Sequence, residues 1–207
     1  MKVDAFILIG GRSKRMGRDK ATLEFAGDTL LKRTAATVHR AFPSSRITLV
    51  AADTRQANEE LPVIFDVHKD RGPIGAIHAA LASAQTEWVL ILACDLPFVS
   101  DVLLLHLSNL VAEDVDAIVP IQRDGKPQPL CALYRVGPCR EQVGQILTDD
   151  HSAPPAKAIT ALVRTRFVPF DQLCELPGAE KFFLNLNTPD DYRRAKASVL
   201  SVSGGLK

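Results

Sequence analysis

A three-layer α/β/α fold around a mostly parallel, mixed sheet is predicted by two features of the sequence. Short apolar runs alternate with longer helical patterns from the N-terminus onward, a spacing that builds right-handed βαβ crossovers. The run 89–93, VLILA, is apolar at every position, as required of a central strand covered by helices on both faces.

The elements follow in order. Strands are expected at Val3–Ile9, Ile47–Ala52, Val63–Phe65, Trp88–Ala93 and Ala117–Ile121. Between them, residues 28–42 place Leu31, Ala35, Val38 and Phe42 on one helical stripe. An Ala-rich helix is expected over 74–84, opened by the Gly72-Pro73 turn. Another is expected over 101–112, carrying Val102, Leu103, Leu107 and Leu110, with Ser100 as N-cap. In the second half, 129–134 (PLCALY) and 166–170 (RFVPF) read as strands, and helices are expected near 138–148 and 155–163. A last helix starts at Thr188, with Pro189 at its first position and Asp190 and Asp191 in the first turn.

Bulk properties narrow the function. The chain has 207 residues, 46% apolar and 24% charged, the mix of an ordinary globular protein. It reads as one domain over 1–200 with a frayed tail over 201–207. Its net charge is +1, from 25 basic and 24 acidic residues, which argues against a broad electrostatic grip on nucleic acid or an anionic membrane. The four cysteines, Cys94, Cys131, Cys139 and Cys174, form no CxxC pair and point to a reduced, cytoplasmic setting. The apolar run Ala5–Ile9 is too short for a signal peptide. No segment approaches the roughly 20 apolar residues of a membrane span.

The stretch ILIGGRSKRMGRDKA carries the most information. A buried strand ends at Ile9, and Gly10, Gly11 and Gly17 follow with Arg12, Lys14, Arg15, Arg18 and Lys20. Glycines let backbone N–H groups approach an anion closely, and the cations neutralise it. The carboxyl end of a first parallel strand is also where open α/β sheets bind ligands. A Walker A loop is excluded because Lys20 lies three residues beyond Gly17, and the dinucleotide fingerprint GxGxxG is absent. The plain alternative is a Gly-rich turn with a solvated basic edge. The ordered combination with Arg15, Met16 and the Asp19-Lys20 pair argues against it.

Two carboxylates stand out. Asp95 directly follows the central strand and precedes Leu96-Pro97. It would face the same crevice as the loop, where Mg²⁺ accepts one or two carboxylates plus phosphate oxygens. A turn-forming Asx before proline is its other reading. Asp66 follows the strand Val63–Phe65 and is a second candidate, equally readable as a loop or cap residue. Beyond it, the helix opened by Gly72-Pro73 offers N–H donors to a base carbonyl or phosphate. His39, His78 and His106 lie in helical patterns and read as surface or satisfied groups. Neither a GxSxG elbow nor HExxH is present, so no hydrolytic nucleophile is evident.

The run GGRSKRMGRDK over residues 10–20 resembles the signature of the molybdenum cofactor guanylyltransferase family, within the wider nucleotidyltransferases. The resemblance continues in order through Gly72-Pro73-Ile74-Gly75, Cys94-Asp95-Leu96-Pro97-Phe98, Pro129–Tyr134 and Asn185-Leu186-Asn187-Thr188-Pro189-Asp190. It implies a Rossmann-like fold of the nucleotidyltransferase type. It further implies that the backbone at Leu8, Gly10 and Gly11, together with Gly72, contacts the nucleotide. Lys20 matches a lysine that binds phosphate oxygens, Arg15 an arginine in the phosphate and pterin region, Asp66 an acid that reads guanine, and Asp95 the Mg²⁺ ligand. Asn185 and Asn187 match asparagines near the pterin substrate. Two positions depart from the family pattern: Ile9 replaces an alanine, and Ala51 stands where some members carry asparagine.

The resemblance implies transfer of GMP from GTP to the terminal phosphate of molybdopterin carrying molybdenum, with Mg²⁺ as cofactor and catalysis by Lys20, Arg15 and Asp95. Molybdoenzymes or other cofactor-biosynthesis proteins are the implied partners. The competing readings are a cytidylyltransferase for the same cofactor, a sugar-phosphate nucleotidyltransferase, and a nucleotide-binding module without catalysis. The pair Asp19-Lys20, where cytidylyl relatives commonly carry Asn-Lys, favours guanine.

Overall fold

The computed structural model describes residues 1–9, 22–52, 60–68, 71–149 and 154–203. Among the described residues the strands are, in chain order, β1 (Val3–Leu8), β2 (Glu24–Phe25), β3 (Asp28–Thr29), β4 (Ile47–Ala51), β5 (Val63–Phe65), β6 (Trp88–Ala93), β7 (Ala117–Pro120), β8 (Cys131–Arg135) and β9 (Thr165–Val168). The helices are α1 (Leu30–Ala41), α2 (Pro73–Ser83), α3 (Asp101–Ser108), α4 (Val136–Asp149), α5 (Phe170–Leu173) and α6 (Pro189–Ser203). Seven strands form one sheet in the order β5-β4-β1-β6-β8-β7-β9. β1 pairs in parallel with β4 and β6, β4 with β5, and β7 with β9. Only β8 is reversed, antiparallel to β6 and β7.

Burial explains this order. β1 and β6 are buried at all six of their positions, so they must sit centrally with helices on both faces. Ile74, Ile77 and Leu81 of α2 and Val143 and Leu147 of α4 cover one face. Val38 of α1 and Leu103, Leu104 and Leu107 of α3 cover the other. The result is the mixed three-layer α/β/α sheet that the alternation predicts.

Several boundaries differ from expectation, each for a local reason. β1 ends at Leu8 and β7 at Pro120, with Ile121 left as an isolated bridge to Pro127. The strand expected over 129–134 starts at Cys131, because Cys131 N–H closes a turn onto the Gln128 carbonyl. The strand expected over 166–170 ends at Val168: Pro169 lacks a donor for the ladder and caps α5 instead. The helix expected over 155–163 is a 3₁₀ helix over Ala156–Ala161. α3 stops at Ser108, short of Leu110. The two-stranded hairpin of β2 and β3 was not anticipated.

The caps follow their sequence signals. Ser100 accepts from Leu103 N–H at 3.2 Å. Thr188 accepts from Asp191 N–H at 3.1 Å, and Asp191 accepts from Thr188 N–H at 2.9 Å, a reciprocal capping box. Of the tail 201–207, residues 201–203 continue the backbone of α6 and the remainder lies outside the described residues. Among the described residues no helix is long and apolar enough to cross a membrane.

An ion pair between a buried aspartate and an exposed arginine fastens the far end of the sheet. Asp116, before β7, accepts from Arg164 Nε and Nη2, each at 2.8 Å. Those bonds hold its carboxyl below the usual carboxylate range, against the opposing effect of burial. A depressed carboxyl stabilises the fold above its unfolded value of about 3.9, and that stability is lost as pH falls through the folded value. Asp116→Asn is therefore expected to cost about 2 kcal/mol at neutral pH and to flatten the fall in Tm between pH 5 and pH 3. Parallel Tm–pH curves for the two proteins would rule this out.

Candidate active site

Because six of the seven sheet strands point one way, their carboxyl ends share one edge. The chain order reverses between β1 and β6, since β4 and β5 lie beyond β1 and the later strands beyond β6. Such a switch point opens a crevice. Leu8, at the end of β1, is paired with Ala93 of β6, and its carbonyl accepts from Cys94 N–H at 3.2 Å. The strand ends that precede the Gly-rich segment and Asp95 thus lie side by side.

Asp95 sits half-buried at that edge. Its carbonyl accepts from Leu186 N–H at 3.0 Å, which draws a segment 91 positions later in sequence to the end of β6. Leu186 is fully buried in a small core with Phe25, Leu30 and Ala195, against which Phe98 and Tyr192 pack. Asn185 and Asn187 flank this anchor. Asn187 N–H donates to Asp191 at 3.3 Å, and the Asn185 side chain donates to the Phe183 carbonyl at 3.4 Å. The structure therefore brings Asp95, Asn185 and Asn187 into one neighbourhood.

Asp66 marks the other end of the edge. Its N–H donates to the Ala51 carbonyl at 3.0 Å, so the end of β4 holds Asp66 through its backbone. The Asp66 carboxylate accepts from His68 N–H at 2.8 Å and lies over the first turn of α2. Gly75 makes this possible: a Cβ there would stand 2.6 Å from both carboxylate oxygens. Burial raises the Asp66 carboxyl above its usual range, opposed by the His68 N–H and by the charges of His68 and His78. Gly72, at φ 61°, makes a left-handed turn that favours glycine, and Pro73 opens the helix. Asp66 and Asp95 are separated by three strand spacings, about 14 Å along the edge.

His78, read from sequence as a surface or satisfied group, is half-buried near Asp66. Its ring meets that of His68 edge-on at 4.8 Å, and burial lowers its pKa. Its Nδ1 is buried without a partner among the described residues.

Gly10, Gly11, Arg15 and Lys20 lie outside the described residues, as do Gly17 and Asp19. Among the described residues no group of three or more His, Cys, Asp or Glu side chains is arranged to hold a metal ion. A carboxylate at such an edge, as Asp95 is, suits a hard cation that takes its remaining ligands from phosphates and water. Sequence reasoning missed the contact of Gly75 with Asp66. Its available signal was a glycine inside a helix, which usually has a packing reason.

Known proteins resemble this chain along nearly its whole length. A family described as the MobA-like NTP transferase domain matches residues 5–164. A protein of Pelotomaculum thermopropionicum named probable molybdenum cofactor guanylyltransferase is 33% identical, over 95% of this chain and 93% of its own length. A protein of the same name from Carboxydothermus hydrogenoformans is 32% identical, over 91% of this chain and 92% of its own. The crystal structure of molybdopterin-guanine dinucleotide biosynthesis protein A from Archaeoglobus fulgidus superposes with a TM-score of 0.79. It is 26% identical and covers 97% of this chain and 100% of that one.

Proposed function

The chain belongs to the MobA-like NTP transferase family, and from that premise we propose that it transfers GMP from GTP to the terminal phosphate of molybdopterin carrying molybdenum. A nucleotidyltransferase role follows from the family itself; the choice of GTP and of this acceptor is the proposal. The observation that carries it is the arrangement of one edge: Asp66 at one end, Asp95 beside the exit of the Gly-rich loop, and Asn185 and Asn187 tied to Asp95 through Leu186.

The reaction breaks the bond between the α-phosphorus and its bridging oxygen to the β-phosphate, and the electron pair leaves with pyrophosphate. A new bond forms from an acceptor phosphate oxygen to the α-phosphorus. That oxygen is already anionic, so neither a protein nucleophile nor a general base is needed. The protein's work is positioning and charge stabilisation.

In this reading Lys20, Arg15 and the backbone at Leu8, Gly10 and Gly11 cradle the triphosphate. Asp66 accepts from guanine's ring N–H and exocyclic amine, two adjacent donors that a cytosine does not present. Gly72 lets the α2 N-terminus approach the nucleotide. Asn185 and Asn187 hold the pterin substrate. Asp95 would hold Mg²⁺, which when bound supplies Lewis-acid stabilisation of phosphate charge. Two polyanions could not otherwise approach in a low-dielectric cleft.

The test is direct transfer from GTP and from CTP to the molybdenum-loaded pterin with Mg²⁺, reading pyrophosphate and dinucleotide. GTP is expected to exceed CTP in kcat/KM by about 10²-fold or more, because a site built to bond base N–H groups rejects a base lacking them. Equal use of CTP would overturn the guanine assignment. Absence of pyrophosphate release with either nucleotide would overturn the reaction.

A further inference from the structure

Gln128 is a buried polar residue that the assignments above do not use. It retains 7% of its surface. Its backbone is fully engaged: N–H donates to the Pro120 carbonyl at 2.9 Å, and its carbonyl accepts from Cys131 N–H at 3.1 Å. Its carboxamide, by contrast, makes no hydrogen bond among the described residues, and it is absent from the sealed, unpartnered atoms there. The amide end therefore accounts for polar surface still open to the outside. Water can reach that amide, so the fold does not spend its donors and they remain free for a ligand.

The position of this amide gives it a use. Gln128 heads the turn that enters β8, the reversed strand next to β6, so it lies on the same edge as Asp95. Leu130 of that turn accepts from Ala93 N–H at 2.8 Å, two residues before Asp95. Tyr134, fully buried, donates from its hydroxyl to the Pro129 carbonyl at 2.8 Å. The turn is thus clamped from β6, β7 and β8 and gives the Gln128 side chain a fixed root. It also lies across β6 from Asp66, on the side that a nucleotide reaching from Asp66 to Asp95 leaves free.

We infer that Gln128 is an acceptor-binding residue, its carboxamide N–H donating to the attacking phosphate beside Asp95. An amide suits this place because it is a neutral donor. It orients an anionic oxygen while withdrawing less charge from the nucleophile than an arginine or lysine would. The inference rests on the guanylyl-transfer reading.

The test compares wild type, Gln128→Met and Gln128→Glu in transfer to the molybdenum-loaded pterin. KM is measured for each substrate, with GTP affinity by calorimetry and Tm as controls. Methionine keeps the volume, so packing survives. Gln128→Met is expected to raise the acceptor KM roughly 10- to 100-fold, the effect of one hydrogen bond to a charged group, with GTP affinity unchanged. Gln128→Glu, which sets a carboxylate against the phosphate, is expected to lose more. An unchanged acceptor KM in Gln128→Met, a parallel loss of GTP affinity, or wild-type kinetics in Gln128→Glu would overturn the assignment alone. Wild-type protein that transfers from no nucleotide would overturn the guanylyl-transfer reading and this assignment with it.

Discussion

Asp95→Asn is expected to lower guanylyl transfer by about 10³-fold, the scale seen when preorganised charge stabilisation is removed from a transferring group. The substitution keeps the side chain's shape. The backbone carbonyl that accepts from Leu186 N–H is untouched, so the segment carrying Asn185 and Asn187 should stay in place and Tm should move little. The loss should appear in kcat at saturating GTP, and the Mg²⁺ concentration needed for half-maximal rate should rise. Those two readings separate a metal-holding carboxylate from a residue that only shapes the turn before Leu96-Pro97. A variant retaining more than a tenth of wild-type kcat would remove Asp95 from the metal site.

How far such a site can be read from sequence depends on how local its causes are. β6 was legible because six consecutive buried positions leave no other place for it than the middle of a sheet, and Asp95 inherits its position from that strand. The start of α6 at Thr188, with Pro189 and two acids in its first turn, was legible because all its signals lie within one turn. By contrast, β9 stops at Val168 because Pro169 and the α5 turn intervene, a competition that the apolar run RFVPF conceals. The tie between Asp95 and Leu186 spans most of the second half of the chain, and no local pattern announces it. Gln128 reads as an ordinary polar residue before a buried strand. Only its place in the folded chain, on the edge that carries Asp95 and with an amide that no described residue engages, distinguishes it. Gly10, Gly11, Arg15 and Lys20 lie outside the described residues, and their ordered spacing is a feature of the sequence alone.

Gly75→Ala should be nearly silent in stability and severe in nucleotide recognition. An alanine Cβ would stand 2.6 Å from both Asp66 carboxylate oxygens and 2.9 Å from its Cγ, closer than real contacts allow. The backbone of α2 is held by Ile74 and Ile77 in the core, so the Asp66 side chain is the part that must move. Moving it breaks the 2.8 Å bond from His68 N–H and shifts the carboxylate from where guanine would meet it. Alanine meanwhile favours the helix by about 1 kcal/mol over glycine, which offsets much of the strain, so Tm should change by only a few degrees. GTP affinity should fall by about 10²-fold, as expected for a recognition group displaced by about 1 Å. Asp66→Asn should show a loss of similar size, and the double variant little more than either single one, because both remove the same contact. The pH dependence supplies a second reading. Only the ionised carboxylate accepts from both guanine donors, and burial raises its pKa, so wild-type GTP affinity should weaken on acidification before an ordinary aspartate would titrate. That weakening should vanish in Asp66→Asn. Wild-type GTP affinity in Gly75→Ala, with the fold intact, would show that Asp66 does not read the base.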